Sequence, residues 1–188
     1  MRSGLMFVFA LFVGTAAFAH GGTMEFALGP QFEQRSGWLT KDRSGAVSLL
    51  SFHLLGGQSP SGATSFFDLQ MGFGSFDGVN QGGYPFAAGE KIEQQTFALI
   101  PNIGFGSLGG GHFFAGVGPQ LISLRQTSPS DSAQSFGTMI WQVGYRLPFA
   151  ETWSGSLKLN YSDYSSEVAD QKSFFATFGT SLQLGYRF

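Results

Sequence analysis

Apolar and polar residues alternate along most of this chain with a period of two, which is the spacing of β-strands rather than helices. Eight segments carry the pattern. In the first, about Met24 to Arg35, Met24, Phe26, Leu28 and Phe32 oppose Glu25, Ala27, Gly29, Gln31 and Glu33. The second, about Ala46 to Leu54, has adjacent leucines at 49 and 50; Leu50, Phe52 and Leu54 are assigned to the outward face. In the third, Thr64 to Phe76, Phe67, Leu69, Met71 and Phe73 oppose Asp68, Gln70, Gly72 and Gly74. The fourth, Gln94 to Phe105, and the fifth, His112 to Arg125, set Phe97, Leu99, Ile103, Phe105, Phe113, Val117 and Leu121 against Ala98, Asn102, Gly104, Gly116, Gly118 and Gln120. The sixth, Thr138 to Leu147, and the seventh, Trp153 to Tyr164, place Arg146, Lys158 and Asn160 on the polar face. In the eighth, Phe178 to Phe188, Leu182, Leu184, Tyr186 and Phe188 alternate with Ser181, Gln183, Gly185 and Arg187. Turn-like connections (56–62, 107–111, 148–152) alternate with polar ones (37–45, 77–91, 126–134, 165–173). Pro30, Pro101 and Pro119 interrupt strands and, lacking a donor, are expected at strand ends or bulges.

Composition decides what the two faces meet. Charged residues make up 12% of the chain, against about 25% in soluble domains. Phenylalanine (22) and glycine (28) are abundant, yet no stretch beyond the first 19 residues is long and apolar enough for a membrane helix. A chain so poor in charge has little to wet an outer surface. The polar face is mainly Gly, Ser, Ala, Gln and Asn, which suits the narrow interior of an eight-stranded barrel, where side chains fill the bore. The apolar face carries aromatics near strand ends. Trp38 and Tyr161 are expected at the outer rim, and Tyr145, Trp153 and Tyr186 at the periplasmic rim, as in the aromatic girdles of membrane barrels. A closed barrel also satisfies every backbone polar group inside lipid. The rival arrangement is a soluble lipocalin-like barrel with its faces inverted. We expect an all-β, antiparallel, up-and-down transmembrane barrel of eight strands over residues 20–188.

The start of the chain gives its address. Arg2, the apolar run from Leu5 to Val13, and Ala17-Phe18-Ala19 form the three parts of a secretory signal peptide, with cleavage expected between Ala19 and His20. Cysteine is absent, which excludes disulfides, thiolate metal sites and a lipid-modified cysteine. No metal or cofactor is expected. Net charge is only −2 and no basic stripe is present, so nucleic acid is not an expected partner.

The final strand, Leu182-x-Leu184-x-Tyr186-x-Phe188, resembles the C-terminal signature of bacterial outer-membrane proteins. The whole chain from His20 resembles, in pattern, the small eight-stranded barrels such as OmpX and the membrane domain of OmpA. That resemblance implies a Gram-negative outer membrane, surrounding lipids, and recognition of the terminal strand by the barrel-assembly machinery. No further domain is expected after the last strand, so the resemblance is not expected to extend to the peptidoglycan-binding part of OmpA.

The polar constellation is internal. Glu25, Glu33, Asp68, Arg146, Lys158 and Arg187 share the lumen face, and unpaired ions there would be costly. They are expected to form a salt-bridge network plugging the barrel, with Glu25 and Arg187 as one pair. The alternative is hydrated side chains near the rims. No catalytic residue is assigned. His53 and His112 fall near periplasmic strand ends and read as interface or turn histidines, not as part of a triad. Loop residues, above all Tyr84-Pro85-Phe86, are the candidates for contact with an extracellular ligand. The expected function is structural or surface interaction without catalysis. A narrow pore for small polar solutes is the alternative, and a lipid A-modifying enzyme ranks third.

Overall fold

The computed structural model describes residues 23–37, 44–58, 64–77, 91–126, 132–168 and 171–188. The expected signal peptide, Trp38 and the loop residues Tyr84, Pro85 and Phe86 lie outside the described residues. Eight strands follow one another: β1 (Thr23–Gly37), β2 (Ser44–Gln58), β3 (Thr64–Asp77), β4 (Lys91–Leu108), β5 (Gly111–Gln126), β6 (Ser132–Pro148), β7 (Trp153–Val168) and β8 (Gln171–Arg187). Each pairs antiparallel with its sequence neighbours, and β8 pairs back to β1, so the sheet is a closed up-and-down barrel. Closure continues to the last residue, where Phe188 N–H donates to Met24 O at 3.1 Å.

The alternation orients every strand. Leu28, Phe32, Ile103, Trp141, Leu157, Leu182 and Leu184 project outward and are exposed, Leu182 by 63%. Leu49, Ser51 and His53 of β2 are buried, which settles the phase of that strand in favour of Leu50, Phe52 and Leu54 outward. An exterior this apolar is the inverse of a lipocalin's and matches a barrel standing in lipid. The interior has two sectors. Polar residues from β1, β7 and β8 line one wall, and Ser51 and His53 of β2, Asp68 and Gln70 of β3, Gln94 and Asn102 of β4, and Gln142 and Arg146 of β6 add to them. Ile92, Ala98 and Ile100 of β4, Phe114, Ile122 and Leu124 of β5, and Ile140 of β6 are buried along the other. Apart from Ala98, that apolar wall was not anticipated from the strand patterns, which had read the inner face as mainly Gly, Ser, Ala, Gln and Asn.

Strands run further than expected. The polar stretch 165–173 does not form a long loop: Ser165 pairs with Phe174, Glu167 with Lys172 and Val168 with Gln171. The β4–β5 hairpin turns on Gly109 and Gly110, at φ 58° and 84°. Only glycine adopts that conformation cheaply, and a two-residue loop of this kind matches the twist of the flanking strands.

The prolines occupy neither strand ends nor bulges. Pro30 lies mid-strand in β1, where the β1–β8 ladder skips from Leu28–Leu184 to Gln31–Ser181 without changing register. Pro101 and Pro119 share a second gap, between Ala98–Gln120 and Asn102–Gly116 of β4–β5. Each gap holds a Gly-Pro dipeptide, Gly29-Pro30 or Gly118-Pro119. The proline removes a ladder donor, and the glycine lets backbones approach closely. A Cβ on Gly29 would fall 1.9 Å from Leu182 O, and one on Gly118 2.0 Å from Leu99 O. The β8–β1 and β4–β5 seams lie on opposite sides of the eight-stranded ring.

Candidate functional site

The polar groups meet inside the bore because strand register stacks them. Glu25, His53 and Asp68 are direct cross-strand neighbours on β1, β2 and β3. Arg146 of β6 and Lys158 of β7 reach them from the opposite wall. All five side chains are buried, Lys158 and Asp68 to 0% exposure.

Glu25 is held by two donors. Arg146 engages it in a bidentate pair, with Nε at 3.0 Å from Oε1 and an Nη2 contact to Oε2. His53 Nδ1 lies 2.9 Å from Glu25 Oε1. Lys158 Nζ donates to Asp68 Oδ2 at 2.6 Å and to Ser51 Oγ at 3.2 Å, and lies 3.0 Å from His53 Nε2. The roles that fit are Nδ1 donating to Glu25 and Nε2 accepting from the ammonium. Asp68 Oδ2 also accepts from Gln70 Nε2 at 2.7 Å and Gln142 Nε2 at 3.1 Å. Gln70 in turn donates to Gln142 Oε1, and Gln142 Nε2 lies 3.3 Å from Asn102 Oδ1. Two carboxylates thus face two fixed cations, with an imidazole between them.

A second cluster surrounds Glu33. Its Oε2 accepts from Arg35 Nη2 at 2.8 Å and Gln94 Nε2 at 3.4 Å, and its Oε1 accepts from Gln31 at 2.7 Å. Asn160 Nδ2 donates across the bore to Gln31 Oε1 at 2.7 Å. The decisive property of both clusters is that they join strands that are not neighbours: β1 to β6, β3 to β6, β3 to β7, β2 to β7, and β1 to β4 and β7. Such contacts run through the middle of the barrel and leave side chains where a channel would pass.

The placement departs from expectation at particular residues. Arg187 stands opposite Glu25 in register, but the Glu25 carboxylate turns to Arg146 and His53, because those groups come from facing and flanking strands at the same height. Glu33 meets Arg35, two residues along its own strand, a residue the strand reading treated as a boundary. His53 is a buried lumen group and not an interface or turn histidine; its signal lay in its parity with Ser51, opposite to Leu50, Phe52 and Leu54. His112 stays near the strand end, half-buried.

The pairing of Ser51 with Lys158 resembles a nucleophile beside a base. Both are fully buried, and the Lys158 ammonium is also committed to Asp68. Among the described residues no cluster of His, Cys, Asp or Glu could hold a metal ion.

On the outside, Tyr145, Trp153 and Tyr186 gather at the end where β1 begins and β8 finishes. Trp153 and Tyr186 pack edge to face at 5.1 Å, and Phe113 packs on Tyr145 at 4.9 Å. Tyr161 stands with its cross-strand partners Trp141 and Phe178 nearer the other end, followed by the outward-facing Asp163. Trp153 and Tyr161 are eight positions apart on β7, which at about 3.3 Å rise and about 40° tilt gives roughly 20 Å along the barrel axis, close to the apolar band of outer-membrane barrels. Leu182, Leu184, Tyr186 and Phe188 are all exposed on this outer face.

No known sequence family matches the chain, and no curated protein matches it. Solved structures do. Neisserial surface protein A aligns with a TM-score of 0.67 at 10% identity, covering 88% of this chain and 97% of that one. The attachment invasion locus protein Ail of Yersinia pestis, solved with the heparin analogue sucrose octasulfate, gives 0.60 at 10% identity over 89% and 99%. The outer membrane protein OprG from Pseudomonas aeruginosa gives 0.56 at 14% identity over 89% and 96%. Topology, apolar exterior and these neighbours together define a small eight-stranded transmembrane β-barrel of the bacterial outer-membrane type.

Proposed function

We propose that this chain is an integral outer-membrane protein with a closed bore, whose role is structural or exercised through its surface loops, and not transport or catalysis. The observation that carries the reading is the set of ion pairs and hydrogen bonds that cross the lumen between non-adjacent strands. An eight-stranded barrel is only wide enough for packed side chains, and here both a polar and an apolar wall fill it. The lumen residues Glu25, Glu33, Asp68, Arg146 and Lys158 then serve as a plug, with Arg187 beside it at the mouth. Tyr145, Trp153, Tyr161 and Tyr186, together with Trp141, serve as interface anchors. In this reading, cleavage after Ala19 releases the barrel domain, and the terminal Leu182, Leu184, Tyr186 and Phe188 are read during assembly. Extracellular contact falls to the loops, as is usual for a rigid scaffold.

The test joins cell fractionation, heat-dependent gel mobility and planar-bilayer recording of the full chain. Outer-membrane enrichment, a folded band that shifts on boiling and no steady conductance support the reading. Steady channel steps that disappear when lumen residues are enlarged would replace it with the narrow-pore alternative. Recovery in the soluble periplasmic fraction would overturn it altogether.

A further inference from the structure

The end of the barrel where β1 begins and β8 finishes holds a cavity of about 270 Å³. Its deep wall is aromatic: Phe66 and Phe114 pack edge to face at 5.1 Å and are both buried. Leu55 continues the apolar lining, and Arg146, Arg187 and His112 stand around it. Arg146 is committed to Glu25 through its bidentate pair. Arg187 is different. Its nearest carboxylate by register, Glu25, is already taken, and its Nε is buried with no hydrogen-bond partner among the described residues. A buried guanidinium donor without an acceptor is costly, and here it borders an open cavity with an apolar back wall.

We propose that this cavity binds a small organic monoanion, a carboxylate attached to a compact apolar body. The carboxylate meets Arg187 and the body lies against Phe66 and Phe114. A guanidinium fork matches a carboxylate in shape and charge, and the Glu25 carboxylate does not compete because Arg146 and His53 already bind it. On size, a protein cavity of about 150 Å³ accepts benzene, so this one has room for a two-ring body. With Tyr145, Trp153 and Tyr186 at the periplasmic rim, as the sequence leads one to expect, the site faces the periplasm; its existence does not depend on that orientation.

The experiment uses the full folded chain in non-ionic detergent, titrated with 2-naphthoate and followed by backbone amide chemical shifts. Saturable shifts at Gly56, Gly104 and Phe114 are expected. Arg187→Gln should weaken binding at least tenfold, and the neutral alcohol 2-naphthylmethanol should give no saturable response at those amides. Leu55→Trp fills the cavity without altering charge and should abolish binding, which keeps the test decisive if Arg187→Gln folds poorly. Heat-dependent mobility of each preparation is read first, so that failure of the barrel is distinguished from failure of the site. Unchanged affinity in Arg187→Gln, or shifts confined to lipid-facing residues such as Leu157 and Leu159, would overturn the proposal. Equal occupancy by inorganic phosphate would also overturn it, by removing the apolar half of the recognition.

Discussion

Replacing Lys158 by Met should destabilise the barrel by about 3 kcal/mol, and removing the charge of its partner should restore most of that loss. Lys158 is fully buried and donates to Asp68, Ser51 and His53 within 3.2 Å. Methionine keeps the length and loses the charge, leaving the Asp68 carboxylate buried without its ion pair. Breaking one side of a buried pair costs about 3–5 kcal/mol. The lower value applies here because Gln70 and Gln142 still donate to Asp68. Asp68→Asn alone strands the ammonium in the same way. In the double variant no uncompensated ion remains, and the total cost should fall to about 1 kcal/mol, since neutral replacement of a whole buried pair is often tolerated. The assay is urea unfolding in lipid vesicles by tryptophan fluorescence. With a slope of roughly 2 kcal/mol per molar urea, the Lys158→Met midpoint should drop by about 1.5 M and that of the double variant by about 0.5 M. Additive losses, with no coupling between the two sites, would refute the claim that this pair is a unit of the plug.

Other substitutions probe separate parts of the account. Gly118→Ala drives a methyl into Leu99 O and should cost more than about 2 kcal/mol or block folding, while Gly137→Ala, with no described atom within 4 Å of the added carbon, should change the unfolding free energy by less than about 0.5 kcal/mol. Deleting Phe188 removes the exposed terminal aromatic and the donor to Met24; the heat-shifted folded fraction in cells should fall several-fold, and an unchanged fraction would remove the residue from any role in assembly. Arg146→Met should destabilise at least as much as Lys158→Met, because Glu25 then keeps only His53; equal stability of wild type and variant in urea would contradict the geometry around Glu25.

The architecture was legible because lipid and a filled bore impose opposite demands on alternate residues. In β7 the demand is unbroken: Trp153, Leu157, Leu159 and Tyr161 face out, while Ser154, Ser156, Lys158, Asn160 and Ser162 face in and are buried. Strand ends were less legible, since polar residues such as Ser165 and Ser166 read as loop when a ladder continues above the apolar band. The prolines misled because a missing donor can be absorbed by a gap in one seam without a bulge. Within the lumen, parity identified Glu25, Asp68 and Lys158 as sharing a face, but pairing depends on the heights set by register. Register put His53 between Glu25 and Asp68, whereas the Glu25 carboxylate, though level with Arg187, turns to Arg146 and His53. The apolar wall of Ile92, Ile100, Ile122 and Leu124 escaped notice because isoleucine and leucine look the same to a pattern whether they face lipid or a dry interior.

The most direct test of the central claim is a single-cysteine scan of β7 from position 154 to 161 in lipid vesicles. The chain has no cysteine of its own, so each spin label reports one site. The account predicts strict alternation: labels at 155, 157, 159 and 161 collide with lipid-dissolved oxygen and are shielded from a water-soluble nickel chelate. Labels at 154, 156, 158 and 160 should be immobilised and shielded from both. Access of the chelate to the even positions would mean an open, water-filled bore, and oxygen contact at the even positions in place of the odd ones would mean that the faces of the barrel are inverted.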